Sequence, residues 1–448
     1  MAQTATISSP LAHLGGEKSL NQDIGDMFTW PIVTQEEEEA VLDVLRRGAM
    51  SGFDITTKFE EEYKAWQGNK YALGHSSGTA SLQAAMYGCK VGVGDEIIAP
   101  SVTYWATLMP CYSLGATVNF ADIDPNTLCI DPNDIEHRIS DNTKAIVVVH
   151  YCGHPCDMDA IMEVARRHNI KVIEDVSHAH GGLYKGKKVG TIGDVSGISL
   201  MSGKSLVAGE AGMLTTDDLE IYERAVAWGF YRKFDDSIQT EYLKPYAHLS
   251  LGGYKYRMHQ MSSAVGRIQL KYYDKRIAEI QKAMNYFWDL LEGTPGMRSH
   301  RPAKESGSTM AGWYAARGLY ISEELGGLSV TAFTEAVRAE GVEECYPGTN
   351  PPLHLHPLLN TADVYGHGKP TRIANNPRDI RQPLGSLPNS EKIGELTYSI
   401  PWFKHYRPEI IEMYANAFKK VAANYEQLLE HDKGNPPNIG HWGLTPVV

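Results

Sequence analysis

Between about residues 70 and 215, short β-branched runs alternate with stretches whose apolar residues recur every three or four positions. The runs Glu96-Ile97-Ile98-Ala99, Thr117-Val118-Asn119-Phe120, Ala145 to Val149, Lys171-Val172-Ile173 and Ile198-Ser199-Leu200 predict strands. Between them, Thr79 to Cys89 and Asp159 to His168 carry the helical period. Strands alternating with helices predict βαβ units and an α/β fold, with a mostly parallel sheet covered by helices on both faces. Sheets of this kind hold their ligands at the carboxyl ends of the strands. Chemistry is therefore expected just after the apolar runs.

Outside that region the pattern changes. Glu36 to Arg47 reads as an amphipathic helix with acids early, arginines late and Gly48 after it, both charge biases suiting the helix dipole. Gln260 to Leu291 reads as one long helix, and helical periodicity returns from Pro408 to Leu429. Pro, Gly and Asn crowd into Tyr346 to Pro388. The expected organisation is an N-terminal arm over 1–34, a large domain over 35–289 and a smaller C-terminal α+β domain over 290–448, with a loop-rich insertion around 346–388.

Composition narrows the partners. Lys plus Arg is 42 against 54 for Asp plus Glu, a net charge of −12, so the chain has no general pull toward phosphate backbones. Nucleic acid is not expected as a partner. No apolar run approaches the roughly 18 residues of a membrane span, and the opening MAQTATISSPLAHLGG lacks the basic and apolar regions of a secretion signal. A cytoplasmic protein without membrane contact is expected. Six cysteines are too few for a disulfide scaffold in 448 residues. His150, Cys152, His154 and Cys156 superficially resemble a metal cluster, but Pro155 breaks their register and no second ligand group completes a tetrahedral site. No metal is expected; the segment reads as a strand end running into a turn.

Three segments at strand ends carry candidate chemistry. Ser76-Ser77-Gly78-Thr79 opens a helical stretch, where free N–H groups, hydroxyls and the helix dipole form an anion pocket. On this segment alone a plain Ser/Thr cap is the better account. Glu174 and Asp175 end a β run, and a buried Asp is costly unless it meets a cation or several donors. Lys204, in ISLMSGKSLVAG, is the only charged residue between Asp194 and Glu210. Desolvation there lowers its pKa and makes the neutral amine accessible as a nucleophile; the plain alternative is a lysine snorkelling from a Gly-rich loop. An anion pocket, a strand-end Asp and an isolated Lys together match pyridoxal 5′-phosphate (PLP), which needs a phosphate cradle, a carboxylate at its ring nitrogen and a lysine for the Schiff base.

At these residues the chain resembles the DegT/StrS family of PLP-dependent sugar and cyclitol aminotransferases, of the aspartate-aminotransferase fold type I. The resemblance runs through SSGTASLQAAM, APSVTYWAT, GATVNFADID, VVVHYCGHPCDMDAI, EDVSHAHGG, ISLMSGKSLVAGEAGML and LGGYKYRMHQMSSAVGRIQL. It implies a catalytic pair, Lys204 for the Schiff base and Asp175 for the pyridine nitrogen. His178 falls beside the cofactor's phenolic oxygen, and Ser77, Gly78, Thr79 and Ser199 fall at phosphate-binding positions. Tyr104 matches the aromatic that stacks on the ring, with Trp105 one place on. Lys255 stands where many members have an Asn that reaches the phosphate of the neighbouring subunit, which implies a homodimer with shared active sites. The reaction implied is transfer of an amino group from glutamate or glutamine to a keto sugar or keto cyclitol, in amino sugar or aminoglycoside biosynthesis. LAHLGG and the lysine in GYKYRM lean toward the cyclitol, scyllo-inosose type. Two rivals are a PLP-dependent sugar dehydratase, a branch that replaces the lysine with histidine, and a catalytically idle regulatory homologue. The intact Lys204/Asp175 pair argues against both.

Overall fold

The computed structural model describes residues 9–230 and 232–437, so the first eight residues of the expected arm and the tail from 438 to 448 lie outside the described residues. Seven strands form the main sheet: β1 (Tyr71–His75), β2 (Glu96–Pro100), β3 (Thr117–Ala121), β4 (Thr143–Val149), β5 (Lys171–Asp175), β6 (Val195–Ser199) and β7 (Gly212–Thr216). Their order is β1-β7-β6-β5-β4-β2-β3. Only β7 runs antiparallel to its neighbours. The chain returns directly from β6 to β7 with no crossover helix, and a direct return requires an antiparallel pair. The five strands expected from β-branched runs are present; β1 and β7, with Gly74 and Gly212 at their active-site ends, lack that signal.

The helices follow from local sequence. In α1 (Gln35–Arg46), Thr34 and Glu37 form a reciprocal capping box. Next come α2 (Asp54–Gln67), α3 (Gly78–Gly88) and α4 (Met158–His168). Helix α3 lies against the middle of the sheet, where a Cβ on Gly197 would come within 2.6 Å of Leu82. After α5 (Leu219–Gly229), α6 (Gln260–Leu291) runs unbroken. Its Tyr273 and Ile277 pack into the sheet's core, whereas Ile280 to Leu291 join a second apolar cluster with Phe333, Tyr398 and Phe418.

That second cluster is covered by the antiparallel strands β8 (Met297–Ser299), β9 (Arg317–Tyr320) and β10 (Thr397–Ser399), with α7 (Val330–Ala339) and α8 (Pro408–Ala423). The helical period expected from Pro408 to Leu429 is interrupted after Ala423, where Asn424 folds its side chain back onto the Lys420 carbonyl. The N-terminal arm packs here too, through Leu11 and Met27. Among the described residues no helix is long and apolar enough to cross a membrane.

The arm is latched by a buried charge pair. Lys420 Nζ donates to Glu340 at 3.0 Å and to the Glu17 carbonyl at 2.9 Å, while Glu340 also accepts from the Ala12 and Ser19 amides. Both side chains are almost fully buried, so removing one partner strands the other's charge. Lys420→Met should therefore cost about 3–5 kcal/mol in chemical denaturation and expose the arm to limited proteolysis. An unchanged midpoint would mean that the arm is held by its apolar contacts alone.

Candidate active site

The carboxyl ends of β5 and β6 meet the start of α3. Ser77 caps α3 by accepting from the Ala80 amide at 3.1 Å, leaving the Gly78 and Thr79 amides at the open first turn. Gly78 is pressed onto β6, where a Cβ would lie 2.6 Å from Ser199 Cβ and 2.8 Å from its Cα. Gly212 supports the same turn, since a Cβ there would come within 2.2 Å of the Ser77 carbonyl. The Ser199 amide donates to Ser177 Oγ at 3.0 Å, which ties β6 to the turn after β5.

Asp175 ends β5 and is buried. Its carboxylate accepts from Thr107 Oγ1 at 2.8 Å and from the Ser177 amide at 3.0 Å. Among the described residues it has no ion-pair partner. Three residues on, His178 Nδ1 accepts from the Cys152 amide at 3.2 Å. Burial, and then the charge of Lys204, hold the His178 pKa well below the usual histidine range. The ring is neutral, and because Nδ1 accepts, its proton sits on Nε2.

Lys204 lies in the loop after β6 and is 8% exposed. Its Nζ makes no hydrogen bond or ion pair among the described residues and rests 4.0 Å from the centre of the Tyr314 ring. Burial pulls its pKa down to about 8, with the Asp175 carboxylate opposing. The loop is pinned at both sides. The Lys204 carbonyl accepts from Trp30 Nε1 at 2.8 Å, and His180 spans the loop, with Nε2 2.8 Å from the Ser199 carbonyl and Nδ1 3.1 Å from Ser205 Oγ. Tyr314 arrives on strained backbone: Ala311, Trp313 and Ala315 have φ of 48°, 53° and 54°, a left-handed region costly for residues with a side chain.

Tyr104 is 47% exposed at the end of the β2 loop, its ring 5.0 Å from that of Trp105. Lys255 is exposed on a segment held against β1, where the Ser76 amide donates to the Tyr256 carbonyl and the Met258 amide to Gly74. The structure thus brings Ser77, Gly78, Thr79, Asp175, His178, Ser199 and Lys204 to one end of the sheet. His150 does not enter this site. It is 2.9 Å from Glu174 and accepts from the Cys156 amide, and the chain then turns at Tyr151–Gly153. Sequence reasoning missed four contributors. Thr107 stands three places after Tyr104 in a motif already singled out, whereas His180 lies inside EDVSHAHGG without a spacing signal. Tyr314 and Trp30 come from distant segments that nothing in the local pattern connects to Lys204.

Residues 31–419 match the model of the DegT/DnrJ/EryC1/StrS aminotransferase family. The uncharacterized protein MJ1066 of Methanocaldococcus jannaschii is 32% identical over 403 residues, 88% of this chain and 96% of that protein. The GDP-perosamine synthase of Escherichia coli O157:H7 is 36% identical over 259 residues, 56% of this chain and 69% of that protein. Among solved structures, an aminotransferase from Psychrobacter cryohalolentis shares 30% identity with a TM-score of 0.77, covering 89% of this chain and 100% of that one. The chain belongs to the DegT/DnrJ/EryC1/StrS aminotransferase family, with the PLP-dependent fold type I expected from its motifs.

The lowered Lys204 pKa makes a stability prediction for the cofactor-free protein. Between about 8 and 10.5 the unfolded lysine holds its proton and the folded one does not. Stability therefore rises with pH across that window. Lys204→Met removes the buried charge, so the variant should be more stable than wild type at pH 7, with the gap closing as pH rises toward 10.5. Parallel denaturation curves at every pH would show that Lys204 is solvated.

Proposed function

We propose that this DegT/DnrJ/EryC1/StrS aminotransferase moves an amino group from glutamate or glutamine to a keto sugar or keto cyclitol, with Lys204 and Asp175 as its catalytic residues. The observation that carries the reading is their convergence. Among the described residues, a buried lysine without an ion pair and a buried carboxylate without a cation stand at adjacent strand ends, beside an open helix start.

These residues fit PLP. Gly78 leaves no room for a side chain between the first turn of α3 and Ser199, so the amides of Gly78 and Thr79 with the hydroxyls of Ser77, Thr79 and Ser199 form a phosphate cradle. Asp175 lacks a cation, and a protonated ring nitrogen supplies one. When bound, PLP provides an electron sink that stabilises negative charge at the carbon bearing the amino group. The chain's side chains do the rest. Thr107 and Ser177 orient the Asp175 carboxylate by donating to it, and from that position it would hold a proton on the ring nitrogen. His178 presents its Nε2–H as a donor toward the phenolic oxygen, while Tyr104 supplies a stacking face. Lys204, with a pKa of about 8, is partly neutral near physiological pH and would take a proton from the donor's α-carbon and return it two atoms away.

Acceptor class is tested by loading the protein with PLP, aminating it with glutamate or glutamine, and adding keto-inositols or nucleotide-linked keto sugars. Recovery of the visible cofactor band with one class identifies the acceptor; no recovery with either overturns the assignment. Lys204→Ala should show no turnover, and Asp175→Asn should keep PLP but lose at least about 10²-fold in kcat. Near-wild-type rates in either would remove that residue from the catalytic pair.

The second part of the reading is a homodimer in which Lys255 of each protomer serves the partner's phosphate. The cradle itself contains only neutral donors, and phosphate carries close to two negative charges near neutral pH. Lys255 follows a segment exposing Tyr246 and Leu249, the latter 74% exposed, as a subunit contact requires. Mixing inactive Lys204→Ala protomers with inactive Lys255→Glu protomers should restore part of the activity, because a mixed dimer contains one site with neither defect. Confirmed subunit exchange without recovered activity would place Lys255 in its own protomer's site or in none.

A further inference from the structure

The insertion after Tyr346 reaches behind the active site and holds two of its loops. Its Leu353–Leu355 turn grips Ser101, the first residue after β2, with three hydrogen bonds. The Leu353 amide donates to the Ser101 carbonyl at 2.9 Å, the His354 amide donates to Ser101 Oγ at 3.2 Å, and Ser101 Oγ lies 2.6 Å from His354 Nδ1. Ser101 and His354 are both fully buried. On the far side, His354 Nε2 lies 3.1 Å from Glu391, whose carboxylate also accepts from the Gly385 and Leu387 amides. With Nε2 donating to Glu391, Nδ1 is the acceptor for the Ser101 hydroxyl, so every polar atom in the chain of contacts is matched. A buried Ser–His–Glu row resembles a hydrolytic triad, but a hydroxyl with no exposed surface reaches no substrate.

What Ser101 begins is the loop that carries Tyr104, read above as the stacking aromatic, and Thr107, which holds Asp175. A few residues earlier, the same strap holds the loop after β4. Tyr151 Oη lies 2.7 Å from Thr349 Oγ1 and 2.5 Å from Asn350 Oδ1, and the Tyr151 ring stands 5.5 Å from His178. We propose that Thr349 to His354 form a positioning strap for the cofactor site, with His354 as the positioning residue that fixes the Ser101–Thr107 loop and through it Tyr104 and the Thr107–Asp175 hydrogen bond. The inference rests on the reading of Asp175 and Tyr104 as cofactor contacts. It makes the insertion part of the machinery that orients PLP, beyond any part it plays toward the acceptor.

The test reads cofactor binding and geometry, not only rate. PLP is titrated into the cofactor-free wild type and variants and followed by visible absorbance and visible circular dichroism. His354→Leu loses both polar contacts and should hold PLP about tenfold more weakly, the equivalent of one buried hydrogen bond, with an altered visible dichroism band. His354→Asn keeps an acceptor near the position of Nδ1 and should recover most of both signals. Ser101→Ala, the smaller change from the other side, should behave like His354→Leu and serves if that variant does not fold. Val44→Ala is the comparison: Val44 is fully buried in a small apolar cluster with Ile55 and Ala264, between α1 and α6 and apart from Ser101 and His354. It should lower the melting temperature while leaving the dichroism of bound PLP as in wild type. If Val44→Ala reproduces the His354→Leu dichroism at equal loss of stability, the strap acts only through general stability and the inference fails. It fails equally if His354→Leu and Ser101→Ala both match wild type. A wild type that takes up no PLP overturns the cofactor reading and this inference with it, so the two failures are told apart.

Discussion

Lys204 is held out of water with neither a hydrogen bond nor an ion pair among the described residues, and much of the surrounding architecture follows from that. An ammonium in such a place is costly, and the protein meets the cost by lowering its pKa instead of supplying a carboxylate. A carboxylate bonded to Nζ would hold the proton in place and remove the amine's reactivity. Asp175 stands near enough to act on it through its field but is itself occupied by Thr107 and Ser177. The nearest face offered to the ammonium is the Tyr314 ring, which stabilises a cation weakly and does not bind the proton. The neighbouring histidines, His178 and His180, are both driven neutral by burial, so they add no fixed positive charge. The strain at Ala311, Trp313 and Ala315 belongs to the same arrangement, since it shapes the segment that sets the Tyr314 ring against Lys204.

This division explains what could be read from the sequence. The parallel strands and their helices were legible because burial on both faces demands β-branched runs and regular apolar spacing. The strand-end residues were legible because a charge isolated in an apolar or small-residue segment stands out, as Lys204 does. β1 and β7 were not: each has a glycine near its active-site end, Gly212 pressed onto the Ser77 backbone and Gly74 facing the side chains of Thr56 and Met258, and neither run contains Val or Ile. Tyr314, Trp30 and His354 were not legible as site neighbours for a different reason. Each reaches the site through tertiary packing over long sequence separations, and no period or spacing encodes that. His354 lies inside the loop-rich segment around 346–388, where no period marks it.

The same segment has a second physical task at the sheet edge. β3 is the last strand on its side and would leave a row of unpaired backbone groups. Gln382 covers part of that edge with its side-chain amide: its Nε2 donates to the Phe120 carbonyl at 2.7 Å and its Oε1 accepts from the Phe120 amide at 3.2 Å. One side chain thereby reproduces the pair of contacts a neighbouring strand would make. Arg372 fills the space beside it, fully buried, with its guanidinium against the Phe120 ring and on the Ile380 carbonyl. Burial lowers its pKa to about 10, still well above neutrality, so it remains charged and bonded where a neutral group would leave carbonyls unmatched.

Edge protection and the hold on Ser101 therefore share one piece of chain, and this bears on how the Lys204 loop is framed. The Lys204 loop is touched by the N-terminal arm through Trp30, by the smaller cluster through Tyr314, and by the sheet through His180. The arm is in turn latched to α8 through Glu340 and Lys420, and Trp30 packs on Trp402 just before that helix. Segments that need no periodic pattern, namely arm, insertion and the turn before α8, thus surround chemistry built on the most regular part of the fold. Such segments can change length and composition without disturbing strand register. Composition is consequently constrained in the sheet that carries Asp175 and Ser199, and free to vary in the segments around it, where the sequence carries the least pattern.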